Sequence, residues 1–160
     1  MHIFQSITLF FGRVFMSLIF LLSALHKVFY WKTAQTALTN ALQNWSHFAG
    51  ATSYLGWLAE LVAPFAFLLI MLAVIMELAG ALLLILGIRI RLGAFLLIVF
   101  LVPTTLVFHH FWWFTGLKQE IELVMFLKNS AILGGLFQIL AYDSTFGAEP
   151  HKPATASPTD

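Results

Sequence analysis

Apolar residues run almost unbroken through four stretches of the chain. They extend from about Ser6 to Leu25, Pro64 to Gly87, Leu92 to His110 and Ile121 to Tyr142. Each is close to the ~20 residues a helix needs to cross the hydrocarbon core of a bilayer. Pro64 suits a first helical position, and Pro103 falls inside the third run, where neighbouring helices tolerate a kink. Only Ile88-Arg89-Ile90-Arg91 separates the second and third runs, so those helices are antiparallel neighbours. Phe111 to Gln119 joins the third to the fourth. The first connection, Phe29 to Ala63, is too long for a turn and too polar for a span. Within it, Ala34, Leu38, Ala41, Leu42 and Trp45 fall on one face of a helix from Thr33 to Trp45, which predicts an amphipathic helix lying at the interface. Gly50 ends it, and Ser53 to Ala63 predicts another helix leading into the second span. The pattern specifies an all-α polytopic membrane protein, a bundle of four transmembrane helices with an interfacial amphipathic helix between helices 1 and 2.

Composition supports this. The 160 residues are 61% hydrophobic and only 9% charged, against about 25% charged in a soluble domain, so lipid is the solvent for most of the chain. Trp31, Trp45, Trp57, Trp112 and Trp113 fall outside the spans or at their ends, the level tryptophan favours. After Tyr142 the chain carries Asp143, Glu149, Pro150, Pro153, Pro158 and Asp160, which predicts a disordered polar tail over 143–160. The absence of cysteine excludes disulfides and thiolate metal ligation within the chain. A net charge of +1 gives no footprint for nucleic acid. No Lys or Arg precedes Arg13, which itself interrupts the apolar run, so the N-terminus does not read as a cleavable signal.

Polar residues inside the spans form two constellations. Glu77 lies at the middle of the second span, where a carboxylate costs about 2.5–3.5 kcal/mol on insertion scales and needs a partner. Lys128 and Asn129 on the fourth span stand at similar depth. Arg13 lies about one turn toward the Arg89/Arg91 side. Small residues share their faces: Ala73, Gly80 and Ala81 with Glu77; Ala131, Gly135 and Gln138 with Lys128; Ser17, Ala24 and Lys27 with Arg13. Arg13, Glu77, Lys128 and Asn129 thus form an expected buried network, with Glu77 paired to Lys128 or Arg13. Its formal surplus of one cation favours an anionic ligand, and its alternative role is to tie the helices together. The second constellation gathers where spans one and three end on the same membrane face. His26, Lys27, His109, His110 and Glu120 form a polar mouth there, joined by Glu60, Lys118 and Glu122 and walled by tryptophans. Three readings stay open for it: interfacial anchoring, a bis-histidine haem or metal site, for which no ligand spacing is present, and a site for a quinone-like head group.

The ordered segments Gly12-Arg13, Leu22-Ser23-Ala24-Leu25-His26-Lys27, Met76-Glu77-Leu78-Ala79-Gly80, Leu86-Gly87, Arg91-Leu92-Gly93-Ala94, Phe108-His109-His110-Phe111-Trp112, Phe126-Leu127-Lys128-Asn129 and Gly134-Gly135 resemble the DoxX family of small four-helix bacterial membrane proteins. The likeness extends from about Gly12 to Leu140, and the long segment Thr33–Ala63 departs from the shorter, proline-containing linker of the family. The resemblance implies an inner-membrane four-helix fold. It also implies a membrane subunit of a quinone-linked redox system, accessory to an oxidoreductase, with quinone as cofactor and a redox partner protein. Against this stand a non-enzymatic scaffold that recruits a partner and, third, a small solute carrier, which the lack of an inverted repeat disfavours. A homo-oligomer is compatible with each.

Four spans put both termini and the Arg89/Arg91 turn on one side, with Lys27, Lys32 and Lys118 on the other. The two arginines at the span ends assign their side to the cytoplasm. In a chain free of native cysteine, an impermeant thiol reagent on intact cells is expected to label Thr115→Cys and spare Ser157→Cys; the reverse pattern inverts the orientation.

Overall fold

The structure, a computed structural model, describes residues 2–50 and 52–142; the expected polar tail, 143–160, lies outside the described residues. Six α-helices follow one another: α1 (His2–Phe29), α2 (Trp31–Ala49), α3 (Tyr54–Val62), α4 (Ala66–Leu86), α5 (Ile90–Phe108) and α6 (Gly116–Tyr142). Short 3-10 turns at Ala63–Phe65 and Phe111–Trp113 complete the path. Four segments are long and apolar enough to cross a membrane: Ser6–Phe29, Tyr54–Leu86, Ile90–Trp113 and Gly116–Ala141. The chain is an all-α, multi-pass membrane protein.

In the bundle α1 packs on α4, α4 on α5 and α5 on α6, while α6 returns to touch α1. The core is built from Phe20 of α1, Ala81 and Leu84 of α4, Leu97 and Phe100 of α5 and Leu136 of α6. Around it, large side chains such as Phe15, Leu72, Phe95 and Phe137 point outward and are exposed, an arrangement stable only against acyl chains. Gly80 and Gly93 set the approach of α4 to α5. A Cβ on Gly80 would lie 2.6 Å from Cγ of Leu97, and one on Gly93 would lie 3.0 Å from the Gly80 carbonyl oxygen. Backbones meet here because neither residue has a side chain, as close packing in lipid requires.

The turn between α4 and α5 is shorter than the sequence pattern suggests, since α5 already begins at Ile90. Gly87 adopts φ +70° and Arg89 φ +46°. The Gly87 amide donates to the Leu84 carbonyl and the Ile88 amide to the Leu83 carbonyl, which satisfies the last carbonyls of α4 as a Schellman-type cap does.

The first connection is wholly helical. Leu38, Ala41 and Leu42 of α2 are buried and Ala34 and Trp45 half-buried, the face expected from the sequence. This face packs on α3 and on α4 and α5, where Leu38 and Leu42 meet Ala59, Ala66, Ile70 and Val74. Trp45 Nε1 donates to the Val107 carbonyl at 3.2 Å, fastening α2 to the end of α5. Gly50, at φ +82°, terminates α2, and the Ser53 hydroxyl accepts from the Gly56 amide to start α3. Pro64 does not begin the second span, as expected from sequence, but sits within the 3-10 turn that links α3 to α4. The apolar segment on either side of it covers 33 residues, about 50 Å of helix, more than a core of about 30 Å can hold. The turn at Pro64 therefore lets α3 leave the span and pack with α2.

The crossing of α4 and α5 yields a test. Gly80→Val forces a branched side chain into Leu97 and is expected to cost about 1–3 kcal/mol. Gly134→Ala, which meets nothing within 4 Å, is expected to change stability by less than about 0.5 kcal/mol. Thermal unfolding of both variants in the same detergent checks the difference.

Candidate functional site

Side chains of a helix lean toward its N-terminus. Arg13 of α1 approaches Gly87, at the C-terminal end of α4, and Lys27, in the last turn of α1, meets Glu77 in the middle of α4. The two helices are therefore antiparallel, and Lys27 leans back into the bundle while Glu77 leans toward the surface from which Lys27 comes. They converge: Lys27 Nζ donates to Oε1 and Oε2 of Glu77, each at 2.9 Å, and to the Ser23 hydroxyl at 2.6 Å. Three partners use all three protons of the ammonium. Glu77 is fully buried and the Lys27 side chain 19% exposed. The Phe100 ring of α5 lies 5.3 Å from Nζ, a cation–π contact on the remaining side.

This pair corrects the expected partnership. Glu77 is bound by Lys27, not by Lys128 or Arg13, and that pair is formally neutral. Arg13 leans away from Glu77 by the same helix geometry that brings Lys27 toward it. Its guanidinium Nη1 comes to 3.2 Å of where a Cβ of Gly87 would stand, beside the negative end of the α4 dipole. Lys128 is exposed, its Nζ 3.4 Å from Sδ of Met125 one turn back. On α6, Ala131 and Gln138 are exposed with it, whereas Asn129 and Leu136 face the bundle. The ammonium of Lys128 thus runs along the outside of α6 toward the membrane surface, the snorkelling course open to a lipid-facing lysine. Asn129, the neighbouring polar residue, is the one that turns inward. Its Nδ2 donates to the Thr105 hydroxyl at 3.1 Å, and that hydroxyl donates to the Leu101 carbonyl at 2.7 Å, joining α6 to α5.

The residues expected at a common mouth are divided among three settings. Lys27 belongs to the buried pair. His26 is exposed and its ring centroid lies 4.8 Å from that of Tyr30. Among the described residues no hydrogen bond or ring contact joins His26 to His109 or His110. His109 Nδ1 lies 2.8 Å from Oε2 of Glu122, both half-buried, and Glu120 is exposed on the same helix. A carboxylate at Nδ1 is met by a ring N–H there, and Nε2 is left outside that bond. His110 is buried, with Nδ1 2.9 Å from the Val107 carbonyl that Trp45 also uses. That bond requires Nδ1 to carry the proton. Rings of Trp45, Phe48, Trp113 and Phe114 lie with their centroids between 5.1 and 6.3 Å from that of His110. Together they form an aromatic cap where α5 ends and α6 begins.

Ser23, which accepts from Lys27, is absent from the expected site, and Glu122 is expected only as a neighbour of the mouth and not as the partner of His109. The signal for Ser23 is its place one helical turn before Lys27, where i,i+4 side chains meet. For Glu122 the signal is only its arrival on the membrane face where His109 ends α5.

Comparison with known proteins adds the following. The sequence profile of the DoxX family matches residues 8–110, which include α1 to α5 from Thr8 and hence Ser23, Lys27, Glu77 and both histidines of the cap. The chain is 36% identical to the inner membrane protein YphA of Escherichia coli (strain K12) over 94 residues, 59% of this chain and 64% of that relative, so less than two thirds of its length is matched. No solved structure matches.

The two lysines should respond differently to loss of charge. Lys27→Met strands a buried carboxylate and is expected to cost about 3–5 kcal/mol, whereas Lys128→Met, on the lipid face, is expected to shift stability by less than about 0.5 kcal/mol. Unfolding in matched detergent distinguishes them.

Proposed function

The chain belongs to the DoxX family, and we propose that it is a multi-pass protein of the bacterial inner membrane that serves as the membrane subunit of a quinone-linked redox system. The observation that carries this reading is the His109–Glu122 pair, 2.8 Å apart, set beside the aromatic cap where α5 ends. A quinone site needs flat apolar walls, an apolar recess and a side chain that can hydrogen-bond the head group. The residues present fit those needs. Trp112 and Phe111, next to the histidines, pack with Phe126 of α6. An apolar cleft of about 260 Å³ opens among Trp45, Leu55, Leu58, Pro103, Leu106 and Val107, about a turn of α5 before His109.

In this reading a quinone, when bound, supplies two-electron chemistry coupled to proton uptake at its carbonyl oxygens. The chain supplies the rest. Glu122 orients the His109 ring by accepting from Nδ1, which leaves Nε2 to hydrogen-bond an oxygen of the head group. His110, held by Val107 and surrounded by rings, positions the cap. Lys27 and Glu77 keep α1 on α4 beneath it. Glu120 and His26 stand outside this group, and Lys27 has no part in the head-group site. The redox centre itself belongs to a partner protein. Both termini and the Arg89/Arg91 turn remain assigned to the cytoplasmic side by the charge argument.

Quinone content of protein purified in mild detergent tests the reading. The wild type is expected to retain quinone, and His109→Ala to lose at least about tenfold in quinone-analogue affinity at equal folded fraction, the scale of one charge-assisted hydrogen bond. Glu122→Gln is expected to fall between the two. Equal retention in all three, or no quinone in the wild type together with a stoichiometric partner protein, favours the scaffold reading instead.

A further inference from the structure

A second cleft, about 710 Å³, lies between α2 and α3. None of Lys27, Glu77, His109 and His110 lines it. Its floor is apolar, made by Leu42, Ala59, Ala63 and Pro64. Its rim is polar: Thr39, Gln43, Ser46 and His47 of α2 on one side, and Glu60 of α3 on the other. The Ser46 hydroxyl donates to Oε1 of Glu60 at 2.5 Å, which holds the carboxylate at the cleft. Glu60 is exposed.

We propose that this cleft binds one membrane lipid bearing a primary ammonium head group, of the phosphatidylethanolamine type. The level is that of lipid head groups. Trp31 and Trp57, at the start of α2 and within α3, mark the interface, and the apolar floor continues toward the start of α4, where acyl chains begin. The charge pattern selects the head group. Glu60 offers an anion to an ammonium, while Gln43 and His47 offer hydrogen-bond donors to a phosphate. Neither lysine nor arginine lines the cleft, which disfavours anionic lipids, since these are recognised by basic clusters. A quaternary ammonium has no N–H to give and is bound by aromatic cages; among the described residues His47 is the one aromatic ring that lines the cleft. An ammonium with N–H groups can make charge-assisted hydrogen bonds to the Glu60 carboxylate. The proposal does not depend on the quinone reading, although the two clefts lie on either side of the same half of α2 and share Leu42 and Ala59 as walls.

Native mass spectrometry of the full chain, released from nanodiscs of equal phosphatidylethanolamine, phosphatidylcholine and phosphatidylglycerol, tests it. The wild type is expected to retain one phosphatidylethanolamine in preference to the other two. Glu60→Gln, a substitution at an exposed position, is expected to lower that preference by about tenfold. Gln43→Trp, which fills the cleft and leaves Glu60 in place, is expected to lower it as well. No preference in the wild type, an unchanged preference in Glu60→Gln, or loss in Glu60→Gln with full retention in Gln43→Trp each overturns the proposal, the last by placing the lipid on Glu60 outside the cleft.

Discussion

A carboxylate buried at the centre of a membrane-spanning helix must be matched by a cation, and the bundle is arranged around that requirement. Glu77 has no exposed surface. Lys27 reaches it by leaning back along α1, and the Ser23 hydroxyl takes the remaining proton of the ammonium. In lipid there is no hydrophobic force between apolar helices, so association rests on close packing and polar contacts. The Lys27–Glu77 pair fixes both the register and the rotation of α1 against α4. Gly80 then admits α5 against α4, and the Asn129–Thr105 bond sets α6 on α5. Each neighbouring pair of spans is thus specified by a polar contact or by the removal of a side chain.

The membrane surface is organised differently. There α2 and α3 form a hairpin whose apolar face is satisfied by the ends of α4 and α5. Val107 lies at its centre: its carbonyl receives both Trp45 and His110, because α5 ends at Phe108 and leaves its last carbonyls open for side chains. The histidines follow from that arrangement. His110 turns inward among the rings and His109 turns toward α6, where Glu122 meets it. Two adjacent residues of one type therefore have different partners, a backbone carbonyl and a ring of aromatics for His110 and a carboxylate on α6 for His109.

Much of the fold was legible in the pattern of the chain. Four spans follow from the length of the apolar runs. The buried face of α2 follows from its 3.6-residue period, because a polar face contrasts with it. The partner of Glu77 was not legible from depth counted along the backbone. Arg13, Lys27 and Lys128 each lie within reach by residue number, and only the N-terminal lean of helical side chains separates the one that turns toward Glu77 from the one that turns away. The face of α6 was not legible either. The residues near Lys128 suggested an interior stripe, of which Gly135 does pack on Met16 of α1 while Ala131 and Gln138 are exposed; Asn129 and Leu136 are the buried residues of that helix. The division of the histidines was hidden for a related reason: span parity brings His26, His109 and His110 to one membrane face but says nothing of their separation within it.

The central claim is that Lys27 and Glu77 act as one unit holding α1 to α4. A double-mutant cycle on unfolding in detergent measures that unit directly, using Lys27→Met, Glu77→Leu and the two together. A buried pair predicts that each single change destabilises strongly and that the double variant recovers a large part of the loss, giving a coupling energy of about 2 kcal/mol or more. Additive effects, with the double variant as destabilised as the sum of the singles, would contradict it.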